Sequence, residues 1–241
     1  MLKSEFDGMN VGHNSVISLE MSVRAVKVKK ILGICTDGLP FVAIFVGLTG
    51  FAFWMSAYWV AVPFLVLSLW CLWFFRDPDR VIPEGENIIA SPADGKVIEI
   101  KEVPYPYLLE GQALKVSIFM NVFSVHVNRS PISGVVRGLK YFEGKFLGAF
   151  KEKASLENEQ MGVVLEKDGK SILFIQIAGL IARRIICRAV EGEKLEKGQR
   201  YGLIRFGSRV DVYLPLDTKI DVELGQQVYA GKSVIGELQS A

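Results

Sequence analysis

Hydrophobic and polar positions divide the chain into three regimes. Residues 1 to about 24 mix Ser, Asn and Gly with charges and show no period, which predicts a poorly ordered leader containing His13. From Gly38 to Phe75, 38 residues pass without one charged side chain. A single helix of that length, at ~1.5 Å per residue, would overrun a ~30 Å hydrocarbon core. Two spans of ~17–20 residues turning near Ser56-Ala57-Tyr58 fit better, so residues 25–75 are predicted to form a membrane-anchoring helical hairpin. From about residue 86 onward, short apolar runs alternate with turn signals, the pattern of a mostly β domain over 76–241. The clearest strands are 96–100, 114–122, 135–142, 163–177 broken at Asp168-Gly169, 180–190, 209–214, 220–222 and 233–238. An Asp-Gly step between two apolar runs is a strong hairpin signal. Only 151–160 reads as helix or loop.

Flanking charges refine the hairpin. Lys27, Lys29 and Lys30 precede it, and Arg76 and Arg80 follow it, so both ends are expected on the cytoplasmic side of a cell membrane. Trp54, Tyr58, Trp59, Trp70 and Trp73 fall near the predicted ends, where aromatic rings favour the interface. A re-entrant hairpin in one leaflet and a buried hairpin of a soluble protein remain open as alternatives. The leader does not resemble a secretory signal, because the apolar run starts too late. The segment Arg76 to Gly85, charged and containing Pro and Gly, marks the boundary with the β domain.

Composition adds little until histidine is counted. The chain has 241 residues, is 50% hydrophobic and has a mean hydropathy of +0.30, an excess concentrated in the hairpin. A net charge of +2, with no basic run interleaved with aromatics, gives no nucleic-acid signal. Cys35, Cys71 and Cys187 have no paired spacing, so neither a disulfide framework nor a metal site is expected. Only His13 and His126 are present, so imidazole chemistry in the folded body falls to His126.

Three short stretches carry candidate chemistry. Ser91-Pro92-Ala93-Asp94-Gly95 precedes a strand; alone, Asp94 reads as a turn residue. Phe123 to Pro131 places His126 between two valines, as though in a strand; alone, it reads as a hydrogen-bonded core histidine. In Leu203 to Pro215, Val210, Val212 and Leu214 alternate with Asp211 and Tyr213, the period of a half-buried strand that begins at Gly207-Ser208. Glycine leaves its carbonyl uncrowded and open to attack by the following hydroxyl. Asp94, His126 and Ser208 together supply base-orienting carboxylate, base and nucleophile, an arrangement defined by geometry and not by order. No Gly-x-Ser-x-Gly elbow surrounds Ser208, which argues against a serine hydrolase. In a non-catalytic β module on a membrane tether, Gly207-Ser208 would be a plain turn.

Pro92 to Gly95, Val125 to Pro131 and Phe206 to Pro215 resemble the three signatures of phosphatidylserine decarboxylase proenzymes, closest to the short membrane-associated kind, over about residues 70 to 241. The closing stretch Gly225 to Lys232 resembles the turn-rich repeats of biotinyl/lipoyl-type sandwiches, so the expected fold is a mostly β catalytic domain, sandwich- or barrel-like with biotinyl/lipoyl-like elements, behind an N-terminal α-helical transmembrane hairpin. The resemblance to the proenzymes implies that Ser208, activated by His126 with Asp94 holding the imidazole, attacks the Gly207 carbonyl. Elimination and hydrolysis would then leave a large chain 1–207 and a small chain 208–241 headed by a pyruvoyl group, joined as a non-covalent heterodimer. The pyruvoyl, without a metal, would form a Schiff base with phosphatidylserine and release CO₂ to give phosphatidylethanolamine. Other serine phospholipids, such as ether-linked ones, fit the same chemistry. Arg129 and Arg209, nearest in sequence to His126 and Ser208, are candidates for the headgroup phosphate, and Arg183-Arg184 for anionic lipid. Some members carry a second histidine where this chain has Phe123, so a two-histidine division of labour is not expected here.

Overall fold

A computed structural model describes residues 28–144, 158–179, 184–205 and 207–239. The leader, most of 151–160, Arg183 and the first residues of the strand expected at 180–190 lie outside the described residues. A short ladder of β1 (Lys30–Ile31) and β2 (Ile34–Cys35) leads into helices α1 (Leu39–Trp54) and α2 (Tyr58–Phe74), which pack as the expected hairpin. Ser56, at φ +55°, makes the turn between them. Helices of 16 and 17 residues extend ~24–26 Å. Their internal hydroxyls stay within the backbone: Thr49 donates to the Phe45 carbonyl at 2.7 Å and Ser68 to that of Phe64 at 2.8 Å.

The hairpin's outward faces are apolar. Ile44, Phe51, Val62, Val66 and Leu69 are exposed, and Trp59 at the tip is 93% exposed. The segment Thr36–Trp54 is long and apolar enough to cross a membrane; α2 is a shorter apolar helix. A helix hairpin buried in a soluble core would have covered these faces.

After α2 the chain is β. Strands β3 (Ile88–Ala90), β4 (Gly95–Pro104), β5 (Gln112–Met120), β6 (Val127–Arg129), β7 (Gly134–Phe142), β8 (Gln160–Lys167) and β9 (Lys170–Ala178) come first. They are followed by β10 (Ile185–Cys187), β11 (Lys194–Leu195), β12 (Arg200–Ile204), β13 (Ser208–Leu214), β14 (Lys219–Ile220), β15 (Gln227–Val228) and β16 (Val234–Glu237). One eight-stranded sheet runs β11-β7-β8-β9-β13-β5-β4-β15 and curls into a half-barrel; β10-β12-β6 and β14-β16-β3 form two three-stranded sheets. The β8–β9 hairpin turns at Asp168-Gly169 with φ of +50° and +75°, the two left-handed residues that a tight two-residue loop needs. β12, not expected as a strand, and β6, the part of the Phe123 to Pro131 stretch that is extended, sit with β10 against the base of the hairpin.

β13 is central, pairing with β5 on one edge and β9 on the other. The alternation that suggested a half-buried strand is misleading, because all seven residues are buried. Val210, Val212 and Leu214 enter the main core. On the opposite face, Tyr213 packs with Ile175, Ile177 and Leu173 beneath Tyr105, Tyr107 and Leu109. Asp211, read as a solvent-facing position, is instead neutralised by Arg209.

Candidate active site

Gly207 and Ser208 stand where the chain leaves β12 and enters β13. Gly207 has φ +69° and nothing within 4 Å of where a Cβ would lie, so backbone conformation and not crowding selects glycine. Ser208 is fully buried, and its hydroxyl lies 3.4 Å from the Met120 sulfur, a weak acceptor.

His126 reaches this point from the loop joining β5 to β6, not from within a strand as its flanking valines suggested. Local bonds shape that loop. The Asn121 carboxamide oxygen accepts the amides of Phe123 at 2.8 Å and Ser124 at 3.1 Å, and the Ile204 amide donates to the His126 carbonyl at 3.3 Å. The imidazole Nδ1 is 2.9 Å from the Ser124 carbonyl oxygen. A carbonyl only accepts, so Nδ1 carries the proton and Nε2 presents its lone pair. That lone pair faces the Gly207 amide, whose N–H donates to it at 3.3 Å. Burial pushes the His126 pKa down to about 4, the Ser124 bond opposing and the Arg76 charge adding to the shift. At neutral pH the ring is therefore uncharged, with Nε2 on the Gly207 amide, next to the Gly207-Ser208 bond.

Asp94 lies in the β3–β4 loop and is not hydrogen-bonded to His126. Its carboxylate accepts from an Arg80 guanidinium nitrogen at 2.7 Å and from the Ala230 amide at 2.7 Å. Burial raises its pKa, opposed by Arg80 and the Ala230 amide. The structure therefore brings His126 to Gly207-Ser208, while the partner holding the imidazole is a main-chain carbonyl and not the expected carboxylate.

Neither expected phosphate ligand presents its charge to solvent. Arg129 is 5% exposed and donates to the fully buried Asp77 at 2.9 Å, to the Pro78 carbonyl at 3.0 Å and to the Gly198 carbonyl at 3.1 Å. Arg209 is 2% exposed and donates to Asp211 at 3.0 Å, Ser117 at 2.9 Å and Glu99 at 3.2 Å, while Lys115 pairs with the same Glu99. Both are structural ion pairs in this geometry.

Several residues around the site carried no sequence signal of that role. Phe74, the last residue of α2, lies against the His126 ring with centroids 4.2 Å apart and planes at 31°. Arg76 donates to the Phe123 carbonyl at 2.6 Å and to that of Trp73 at 2.7 Å, with its guanidinium 4.3 Å from the Trp73 ring centre. Arg205, three residues before Ser208, lies 5.0 Å from the Phe41 ring centre, and its buried Nε has no hydrogen-bond partner among the described residues. The charged boundary after Phe75 could have drawn attention to Arg76 and Arg80; nothing in the pattern singles out Phe74.

Comparison with known proteins adds independent findings. A profile of the family described as phosphatidylserine decarboxylase matches residues 67–236. A phosphatidylserine decarboxylase proenzyme of Nitrosomonas europaea is 48% identical over 205 residues, covering 85% of this chain and 94% of the relative. Its counterpart in Syntrophus aciditrophicus is 50% identical over 206 residues, covering 84% and 96%. That of Ralstonia pickettii is 52% identical over 179 residues, covering 74% and 83%.

Proposed function

The chain belongs to the phosphatidylserine decarboxylase family and is a decarboxylase of that kind; from this premise we propose that it is a proenzyme that cuts itself between Gly207 and Ser208 and then decarboxylates phosphatidylserine at a membrane surface. The observation that carries the reading is the Nε2 lone pair of a neutral, buried His126 held 3.3 Å from the Gly207 amide.

The first half of the chemistry belongs to the chain's own residues. Rotation of Ser208 about χ1 swings the hydroxyl away from Met120, and His126 Nε2 takes its proton as the oxygen adds to the Gly207 carbonyl carbon. Loss of the Gly207–Ser208 C–N bond, with that proton delivered to the departing nitrogen, converts the amide to an ester. Removal of the Ser208 Cα proton then expels the Gly207 carboxylate and leaves a carbon–carbon double bond at position 208. Water replaces the nitrogen, which leaves as ammonia, and a ketone heads the new chain. The residues present fit such a group: position 208 opens a buried strand, the imidazole stands beside it, and Gly207 has open space on its Cβ side.

When formed, the pyruvoyl carbonyl supplies an electrophile for the substrate amine and a sink for the electron pair left by CO₂. His126 is the imidazole placed to move a proton at the same spot. Asp94 acts at one remove, holding Arg80 and the Ala230 amide, so that it ties the β3–β4 loop to the segment downstream of the cut. With Arg129 and Arg209 engaged elsewhere, the headgroup phosphate falls to Arg205, whose Nε faces no acceptor among the described residues and whose charge lies over Phe41 in the first turn of α1. Arg184, exposed beside it, adds positive charge. In this reading the hairpin inserts tip-first, with Trp59 deepest, and the charges of Lys29, Lys30, Arg76 and Arg80 at its base support a catalytic body on the cytoplasmic face.

Denaturing electrophoresis with mass measurement tests the reading. The wild-type chain should give two fragments, the smaller lacking the serine amine at its start. Ser208→Ala should give one intact band and release no CO₂ from phosphatidylserine vesicles. An intact wild-type chain that still consumed the lipid would overturn the self-cleavage.

A further inference from the structure

The base of the hairpin and the catalytic loop share one apolar cluster. Cys71, Phe74 and Phe75 from the end of α2 pack with Val125 and Val127, which flank His126, and with Leu203 of β12. Phe41, Val42 and Phe45 of α1 border the same cluster. Within it, Phe74 is the side chain laid across the imidazole, and both rings are fully buried. Two residues on, Arg76 grips the Phe123 carbonyl, so the loop carrying His126 is held from the hairpin by a ring contact and a charged hydrogen bond.

We propose that Phe74 is a positioning residue for His126, so that correct seating of the second membrane helix is a condition of self-cleavage. The inference rests on the proposed reaction at Gly207-Ser208. The imidazole has two edge contacts, Nδ1 to Ser124 and Nε2 to Gly207, and these leave it free to tilt about the line joining them. A flat aromatic face at 4.2 Å removes that freedom. It also keeps water from the ring, so that the base stays neutral. A displacement of ~1 Å at a reacting centre can cost ~100-fold in rate, which sets the size of the effect at stake.

The charged group facing the ring is Arg76, from the segment after α2; Arg76 in turn faces Asp94 and Arg80. From the turn between β12 and β13 the imidazole meets the Gly207 amide, and the Ile204 amide of β12 holds the His126 main-chain carbonyl; neither amide titrates. Burial is the first cause of its low pKa, so uncovering one face lets the value climb from about 4 toward 6.5.

The test uses the full-length chain in detergent or bilayers and follows fragment appearance against pH. Phe74→Ala should slow cleavage at pH 7 by ~10- to 100-fold and move the acid limb of the rate upward from near pH 4. Phe74→Tyr, which keeps the ring, should restore most of the rate and the limb. Phe75→Ala removes an equally buried neighbour and reads loss of packing alone; its acid limb should stay in place. A Phe74→Ala profile superimposable on wild type overturns the proposal, as does an equal shift in Phe75→Ala. A wild-type chain that does not cleave at all would instead fault the underlying reaction.

Discussion

Arg129 offers a sharp test of whether a charge near His126 in sequence recognises substrate or holds the fold. Its guanidinium lies 2.9 Å from Asp77, and at an effective dielectric of ~20 opposite unit charges at that separation attract by about 6 kcal/mol before desolvation. Desolvation cancels much of this, yet removing one partner of a buried pair still costs about 3–5 kcal/mol, because the other is left buried and uncompensated. The two truncations should not be equal. Arg129→Met leaves Asp77 still paired with Arg200, so the cost belongs at the low end, about 3 kcal/mol. Asp77→Leu strips the buried carboxylate from Arg129 and leaves Arg200 with Asp79 at 3.6 Å, and belongs at the high end, about 5 kcal/mol. Combining them should cost less than the sum by about 1–3 kcal/mol. Urea unfolding in detergent, on a Ser208→Ala background that keeps one covalent chain, measures all three. Decarboxylation on the wild-type background supplies the second reading, in which the folded fraction of Arg129→Met keeps its KM. A raised KM with stability changed by less than about 1 kcal/mol would refute the assignment and return Arg129 to the headgroup.

Other expectations follow from the same geometry. A His126 whose pKa is depressed from 6.5 to about 4 binds its proton less readily when folded, so stability is lost as pH falls through that window. The loss is about 3 kcal/mol, visible as a drop in unfolding midpoint of the Ser208→Ala chain that His126→Gln should abolish. Arg205→Met should raise KM for phosphatidylserine vesicles by ~10-fold, the loss of one charge-assisted contact, with unchanged self-cleavage followed on the same gels.

Sequence pattern and structure agree where local physics decides. A charge-free run can hardly fold other than as apolar helices, and Asp168-Gly169 turned β8 into β9 because both residues tolerate positive φ. The position of Ser208 at the head of a strand was legible for the same reason. What pattern could not show was pairing at long range. Arg129 finds Asp77 52 residues earlier, and Arg209 finds Glu99 110 residues earlier. A charge next to a catalytic residue in sequence looks the same whether it faces solvent or a buried partner. Asp211 seemed to mark a wet face because Arg209, itself fully buried, was not yet known to neutralise it. Asp94 stood in the right motif, but only side-chain geometry shows that Arg80 and Ala230 hold its oxygens while Ser124 holds the imidazole.

If the proposed cut between Gly207 and Ser208 is made, strand β13 has a consequence for the fate of the molecule. Every residue from Ser208 to Leu214 is laced on one side to β5, and Ser208 to Tyr213 also to β9, both strands lying upstream of the break. A nick there would open at the middle of a woven fabric and not at a hem. The two pieces would have no route apart short of unravelling the whole body, and a gene split at that seam should not yield halves that find each other again.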